Sequence, residues 1–124
     1  MEASQKKILI IDDDSRNIFA LKAVLTAKKF TCLAANGAHE GFEIIKKNDD
    51  VGVVLLDMMM PDLDGYQAMA KMKEDEQLKD VPVIAVTAQA MLGDKERCLE
   101  AGAVGYVSKP VNVEELVKLL NNYL

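Results

Sequence analysis

The stretch Val51–Asp57, VGVVLLD, is an apolar run with no charged residue until it stops at a carboxylate. An apolar run without alternation is typical of a strand buried on both faces, as in a parallel sheet covered by helices. Two other runs have the same form, because Ile8–Ile11 stops at three consecutive aspartates and Val81–Val86 stops at Thr87. The sequence therefore predicts a buried parallel sheet whose strands end in polar side chains.

Amphipathic stretches separate the apolar runs, and together they predict five strand–helix pairs. Strands are predicted over 8–11, 31–35, 51–56, 81–86 and 103–107, and helices over 15–28, 38–47, 65–73, 90–101 and from 112 onward. In the first helix, the spacing of Leu21, Val24 and Leu25 predicts that these side chains point inward. In the last helix, Asn112 followed by Glu115 predicts an N-terminal capping box. The expected fold is one doubly wound α/β domain over 1–124, with a five-stranded parallel sheet in the flavodoxin-like order 2-1-3-4-5.

The composition limits the functions that are possible. The 124 residues fit one domain, and no apolar run approaches the ~18 residues of a membrane-spanning helix. The net charge is −5, and no cluster of lysines and arginines marks a nucleic-acid interface. Cys32 and Cys98 lack metal-ligand spacing, and with His39 as the one histidine a zinc site is not expected. We therefore expect a cytoplasmic protein that contacts neither a membrane nor a nucleic acid directly.

Polar side chains follow four of the predicted strands at their carboxyl ends: Asp12 and Asp13, Asp57, Thr87 and Lys109. Because these ends share one edge of a parallel sheet, we expect the five side chains to lie close together. Three clustered carboxylates repel one another unless a cation lies between them, and hard oxygen ligands suit Mg²⁺. A carboxylate, a metal ion, a lysine and a hydroxyl can together transfer a phosphoryl group onto the carboxylate.

Each of these residues also has an ordinary structural interpretation. An aspartate after a strand is often a turn former or a helix N-cap, which is the expected role of Asp14 or Ser15. Thr87 and Lys109, taken singly, are unremarkable at a strand end. The run Met58–Met60 is expected to serve packing and loop backbone rather than a cofactor. The prediction of a site therefore depends on all the positions coinciding at one sheet edge.

Four motifs occur in order at the ends of the predicted strands: IDDD at Ile11–Asp14, LLDMMMPDLDG at Leu55–Gly65, VTA at Val86–Ala88 and GYVSKP at Gly105–Pro110. In these motifs the chain resembles the receiver domains of two-component response regulators, and the resemblance covers almost its whole length. Pro61 and Gly65 follow Asp57 at the family's offsets. The stretches 14–21 and 91–102 resemble receivers at the C-terminal end of hybrid histidine kinases. The chain is therefore expected to be either a stand-alone regulator or a piece of such a kinase.

The resemblance implies which residues carry out the chemistry. Asp57 is implied to accept the phosphoryl group, and Mg²⁺ is the implied cofactor. The implied metal ligands are Asp57, Asp13 directly, Asp12 mostly through water, and the backbone carbonyl of Met59. Lys109 is implied to contact the acyl phosphate.

Four further positions carry implied supporting roles. Thr87 is expected to swing towards the phosphoryl group, and Tyr106 is the aromatic residue that moves inward when Thr87 shifts. Ala88 fits the small-residue position beside the phosphorylation site. The peptide bond between Lys109 and Pro110 is expected to be cis, as in the family, which would aim the lysine.

The same resemblance implies signalling by phosphorelay. The donor is expected to be a histidine kinase or a histidine phosphotransfer protein that carries a phosphohistidine. The chain is expected to be a switch that phosphorylates and dephosphorylates itself, not an enzyme in the ordinary sense. A downstream protein is expected to read the surface of the fourth helix, fifth strand and fifth helix, on a monomer or a weak dimer. Phe19 should lie on the exposed side of the first helix, where it either docks the donor or packs on a neighbouring helix.

Three other interpretations fit parts of the sequence. A flavodoxin-like electron carrier shares the strand order but needs a Ser/Thr/Gly-rich phosphate loop where this chain has the aspartates 12–14. A haloacid-dehalogenase-type phosphatase would use Asp12 and Asp14, but it leaves Asp57 without a role. That family also needs a later acidic pair at a strand end, whereas Glu114–Glu115 begin a helix. A degenerate receiver would only bind partners, and the complete set of site residues argues against it.

Overall fold

The computed structural model describes residues 6–61, 63–88 and 93–124, whose strands form one parallel sheet. The strands are β1 (Lys7–Ile11), β2 (Cys32–Ala35), β3 (Val51–Asp57), β4 (Val83–Thr87) and β5 (Gly105–Ser108). Their order in the sheet is β2-β1-β3-β4-β5, and every neighbouring pair is parallel. The chain reverses its direction across the sheet between β2 and β3, which makes the edge at β1 and β3 the topological switch point. The predicted order and the doubly wound architecture are confirmed.

Each strand is followed by a helix in the described part of the chain. The helices are α1 (Ser15–Ala27), α2 (Ala38–Lys47), α3 (Gly65–Lys73), α4 (Asp94–Glu100) and α5 (Val113–Asn121). None of the helices within the described ranges is long and apolar enough to cross a membrane.

Alternate side chains of β1 supply two separate cores. Leu9 and Ile11 belong to the cluster that packs under α2, α3 and α4, whereas Ile8 and Ile10 belong to the cluster under α1 and α5. All four side chains are at most 1% exposed. Full burial of such a side chain stabilises the fold by about 1.5–3 kcal/mol. The central strands are therefore covered on both faces, as their unbroken apolar runs predicted.

Two strands begin two residues later than predicted, each for a backbone reason. β4 begins at Val83 because Pro82 has no N–H to donate and the Val81 N–H is already bonded to the Leu78 carbonyl, 3.1 Å away. β5 begins at Gly105 because Ala103 belongs to the C-terminal cap of α4. Its N–H donates to the Cys98 carbonyl at 3.0 Å, across a left-handed glycine at 102.

The fourth helix also begins later than predicted. Gly93 has a φ of 91°, a left-handed conformation that ends any right-handed helix running into it, and α4 starts at Asp94. The first part of the prediction, residues 90–92, lies outside the described residues.

The inward face of α1 differs from the prediction at one position. Leu25 is fully buried and Leu21 is half-buried, as predicted, but Val24 is 36% exposed. Ile18 is buried instead, so the apolar stripe runs through residues spaced by three and four, centred one residue away from Val24. The prediction for Val24 was wrong because it lies next to Leu25 and therefore about 100° round the helix.

The predicted N-cap of α1 is present, and one of the two hydrogen bonds of the capping box predicted for α5 is present. The Asp14 carboxylate accepts the Arg16 N–H at 2.9 Å and caps α1. The Asn112 side-chain oxygen accepts the Glu115 N–H at 3.0 Å and caps α5. Both caps satisfy donors that the helix itself leaves unpaired.

Candidate functional site

Asp12 and Asp57 lie side by side at the switch point of the sheet. Ile11 and Leu56 are paired in register between β1 and β3, and the two aspartates are the next residues along. The Asp12 N–H donates to the Ala35 carbonyl at 3.1 Å, which continues the β1–β2 ladder by one residue. Both residues are at most 5% exposed. The sheet therefore brings two carboxylates together in a buried place, as the sequence predicted.

The two carboxylates are oriented by the same local contact. Asp12 Oδ1 accepts the Asp14 N–H at 2.8 Å, and Asp57 Oδ1 accepts the Met59 N–H at 3.0 Å. In each case the donor is the backbone two residues on, which is a hydrogen bond that aspartate forms readily in turns. These two orienting hydrogen bonds were not predicted from the sequence. An aspartate at a strand end is itself a sequence signal for a bond to the N–H two residues on, but many aspartates in turns share this signal.

Lys109 brings the compensating charge to both carboxylates. Its Nζ lies 3.5 Å from Asp12 Oδ2 and 3.9 Å from Asp57 Oδ2. Its backbone N–H donates to the Thr87 carbonyl at 2.8 Å, which anchors it to the end of β4. The peptide bond between Lys109 and Pro110 is cis, as predicted. The lysine is therefore held in the site at its backbone as well as at its charged end.

Asp13 completes a group of three carboxylates with Asp12 and Asp57. One oxygen from each lies within 4.8 Å of the others, and Asp13 is exposed whereas the other two are buried. Three anionic oxygens with one side open to water match the preference of Mg²⁺ for hard ligands and retained water molecules. The residues present therefore fit this ion. Carboxylates of this kind are the ligands that would hold it.

The surroundings of Asp57 disfavour its charged form. Burial raises the pKa of the Asp57 carboxyl above its ordinary value of 3.8, and the Asp12 carboxylate raises it further. The Met59 N–H and the Lys109 ammonium act in the opposite direction but do not cancel the rise. The charge on Asp57 is therefore held in a costly position, where a bound cation relieves the repulsion.

The remaining predicted site residues lie at the ends of β4 and β5. Thr87 is 4% exposed and ends β4, next to Asp57, because Asp57 pairs in register with Val86. Ala88 follows it and is exposed. Tyr106 pairs in register with Ala85 and is half-buried against the core under α3 and α4.

The methionine run divides between packing and the site. Met58 and Met60 are buried in the core, as predicted, whereas Met59 is 51% exposed. The Met58 N–H donates to the Val86 carbonyl at 2.9 Å, and its carbonyl accepts the Gly65 N–H at 3.3 Å. These two bonds fix the loop that follows Asp57 between β4 and the start of α3.

Comparison with known proteins identifies the family of this chain, and that family agrees with the geometry of the site. Residues 8–121 match the family described as "Response regulator receiver domain". The chain belongs to this family. It is a receiver domain of a two-component phosphorelay. Membership rules out the flavodoxin-like and phosphatase interpretations of the same residues.

Individual relatives agree with the family assignment. The polar-differentiation response regulator DivK of Brucella ovis is 29% identical over 119 residues, which cover 96% of both chains. A CheY-like receiver domain protein from Methanospirillum hungatei is 31% identical, with a TM-score of 0.81 over 96% of this chain and 93% of that one. The receiver domain of sensor histidine kinase PA1611 from Pseudomonas aeruginosa has a TM-score of 0.84 and 29% identity over 97% and 98% of the two chains. That structure holds a magnesium ion in its active-site cleft.

Proposed function

We propose that Asp57 accepts a phosphoryl group from a phosphohistidine on a donor protein. An Asp57 oxygen forms a bond to phosphorus while the bond from phosphorus to the histidine nitrogen breaks, and that nitrogen keeps the electron pair. The observation that carries the proposal is the position of Lys109 between Asp12 and Asp57. A cation there offsets charge on the attacking carboxylate and then on the phosphoryl oxygens.

The metal is proposed to be Mg²⁺, held by Asp12, Asp13 and Asp57 together with the backbone carbonyl of Met59. When bound, the ion would supply positive charge opposite the phosphoryl oxygens. The three clustered carboxylates support this assignment. So does the magnesium ion in the related receiver of the Pseudomonas kinase.

The residues around Asp57 are proposed to act after phosphorylation. Thr87, at the end of the neighbouring strand, donates its hydroxyl to a phosphoryl oxygen, and Lys109 pairs with the added charge. Ala88 leaves room beside the site, and Pro110 fixes the backbone after Lys109. Tyr106, one strand further along, moves into the space that Thr87 leaves. The result is a change in the α4-β5-α5 surface, formed by α4, β5 and α5.

The partners are proposed at the level that the family allows. The donor is a histidine kinase or a histidine phosphotransfer protein, and a downstream protein reads the α4-β5-α5 surface of a monomer or weak dimer. The chain acts as one receiver domain that phosphorylates and dephosphorylates itself. The likeness to a receiver of a sensor histidine kinase supports an origin in a hybrid kinase, and the likeness to DivK supports a separate regulator. The cytoplasmic location stays a prediction. The buried, free cysteines Cys32 and Cys98 are compatible with it.

Incubation with acetyl phosphate and Mg²⁺ tests the acceptor. The wild-type chain should gain one phosphoryl group, seen by intact mass, that hydroxylamine removes. Asp57→Asn should gain none, because the amide keeps the shape but is not a nucleophile. Asp64→Asn is the matched control, since Asp64 caps α3 outside the carboxylate group and asparagine also caps helices. Phosphorylation of Asp57→Asn, or equal loss in both variants, would reject the assignment. A chain that gains no phosphoryl group would be a degenerate receiver.

Amide chemical shifts with and without beryllofluoride, a phosphoryl mimic, test the output. Shifts should extend from the loops around Asp13 and Asp57 to Tyr106 and into α4 and α5. Changes confined to the two loops would leave phosphate acceptance in place and remove the surface switch.

A further inference from the structure

Tyr66, in the first turn of α3, touches two consecutive residues of α4. Its hydroxyl lies 3.6 Å from Cys98 Sγ, within hydrogen-bonding distance for sulfur. The Arg97 guanidinium carbon lies 4.9 Å from the centre of the Tyr66 ring, which is the range of a cation–π interaction. Arg97 is in turn 3.9 Å from the Asp94 carboxylate, one turn earlier in α4. One side chain of α3 therefore holds α4 at two adjacent points.

The contacts of Tyr66 are partly buried, and burial strengthens both a hydrogen bond and a cation–π interaction. Cys98 is 1% exposed and belongs to the core under α3 and α4. Burial, with the Cys98 hydrogen bond second, raises the pKa of Tyr66 to about 12. The phenol therefore keeps its proton at neutral pH and remains able to donate or accept the bond to sulfur.

Tyr66 is also connected, through its neighbour Gly65, to the loop that follows Asp57, which we call the phosphoacceptor loop. Tyr66 follows Gly65, whose N–H donates to the Met58 carbonyl at 3.3 Å, and Met58 is the residue directly after Asp57. The start of α3 is thus hydrogen-bonded to the loop that carries the acceptor. A shift of that loop reaches α4 through α3, without passing through β4 or β5.

We propose that Tyr66 is a latch that couples the phosphoacceptor loop to α4 and holds α4 in its resting position. This inference rests on the proposed function and adds a second connection to it. Thr87 and Tyr106 act on the α4-β5-α5 surface through the strands, whereas Tyr66 acts through α3. A displacement of α4 relative to α3 would lengthen both contacts of Tyr66. Keeping them therefore opposes the switched position and weakens binding of any group that favours it.

The affinity for beryllofluoride in the presence of Mg²⁺ tests the latch. Tyr66→Phe removes the hydroxyl and keeps the ring under Arg97, so it deletes one contact only. The variant should bind beryllofluoride about threefold to tenfold more tightly than the wild type, which corresponds to one neutral hydrogen bond. Tyr123→Phe is the matched control, because Tyr123 packs against the other core, under α1 and α5. Its affinity should equal that of the wild type.

A second pair of variants shows whether the effect passes through Cys98. Cys98→Ala should also tighten binding, and adding it to Tyr66→Phe should give less than the product of the two single effects, because both remove the same bond. Amide shifts should show α4 of Tyr66→Phe moved part of the way towards its beryllofluoride position before any addition. A role in stability alone would lower the unfolding midpoint without tightening binding.

Each outcome decides between the latch and its absence. A tighter Tyr66→Phe with an unchanged Tyr123→Phe and a non-multiplicative pair supports the latch. Unchanged or weaker binding by Tyr66→Phe, or equal tightening in the control, overturns it and leaves the proposed function intact. If the wild-type chain itself binds no beryllofluoride, the proposed function fails, and the latch fails with it.

Discussion

Asp12 and Asp57 both direct the carboxylate oxygen Oδ2 at Lys109. In both residues Oδ1 accepts the N–H two residues on, which leaves Oδ2 directed at the lysine, at 3.5 Å from Asp12 and 3.9 Å from Asp57. Lys109 is therefore shared between two buried anions. A single positive charge cannot neutralise two carboxylates, and the exposed Asp13 adds a third. This excess of negative charge explains why the site suits a divalent cation.

Replacing the shared lysine should strengthen metal binding while it weakens phosphoryl transfer. Lys109→Gln removes a cation within 4 Å of two carboxylates, so Mg²⁺ should bind about tenfold more tightly, because a repulsive neighbour is lost. Asp13→Ala should have the opposite effect, because it removes a ligand. Isothermal titration calorimetry checks both affinities, and acetyl phosphate checks the rate. Weaker Mg²⁺ binding in Lys109→Gln would show that the lysine organises the carboxylates more than it repels the ion.

Removing the charge of Asp57 should stabilise the metal-free protein at neutral pH. Burial raises the pKa of Asp57 above 3.8, so the folded state prefers the protonated carboxyl. The preference stabilises the fold below the unfolded pKa and is lost as the pH rises through the folded pKa. Above that pH the charged group costs stability that Asp57→Asn avoids. The variant should gain on the order of 0.5–2 kcal/mol at pH 7, and little below about pH 4.

Urea unfolding of wild type and Asp57→Asn at pH 7 and at pH 3.5, without metal, provides the measurement. Asp64→Asn serves as the control for replacing an aspartate outside the carboxylate group. A gain of equal size at both pH values would mean that the effect comes from something other than the charge on Asp57.

Gly65 should tolerate no side chain, because α3 starts against the loop that follows Asp57. A Cβ at Gly65 would clash with Met58 Sδ and would lie 2.8 Å from Met58 Cα, which is a backbone atom that cannot turn aside. Gly65→Ala should destabilise the fold by about 1–3 kcal/mol, as overpacking does. It should also slow phosphorylation of Asp57. In Gly105→Ala the new atom meets Leu119 at an ordinary 3.4 Å, so this variant should stay near wild type in both measurements. Wild-type stability in Gly65→Ala would show that the loop can move freely.

The sequence predicted most of the sheet and the members of the site because both depend on local patterns. Val51–Asp57 is apolar along its whole length, and that is enough to indicate a central parallel strand and its polar end. The strand starts at Val83 and Gly105 were missed because they depend on Pro82, on a left-handed glycine and on hydrogen bonds made elsewhere. Such features have no periodic signal.

Contacts between distant residues were the other part that the sequence did not reveal. Tyr66 and Cys98 are 32 residues apart, and neither belongs to the four motifs at the strand ends. The position of Lys109 at the sheet edge could be expected. Its sharing between two carboxylates depends on the distances from Nζ to Asp12 Oδ2 and Asp57 Oδ2, 3.5 Å and 3.9 Å, which differ by less than 1 Å. On α1, the exposed position of Val24 shows that a helical stripe predicts the buried face only to within about one residue.

We predict that Phe19 contacts the donor protein and takes no part in the transfer of the phosphoryl group itself. Its side chain is 76% exposed on α1, which confirms its predicted place and excludes the alternative that it packs on a neighbouring helix. An exposed aromatic side chain on a helix surface is a common anchor for a partner protein.

Phe19→Ala should therefore slow phosphoryl transfer from a phosphotransfer protein that phosphorylates the wild-type chain, by about tenfold, the cost of one aromatic anchor. Phosphorylation by acetyl phosphate should be unchanged, because this small donor needs no docking surface. The unfolding free energy should change little, since an exposed side chain contributes little burial. Leu99→Ala removes a similar exposed apolar group on α4, 41% exposed, and should leave transfer from the protein donor unchanged. Equal rates for Phe19→Ala and wild type with the protein donor, or equal loss with both donors, would contradict a docking role for this residue.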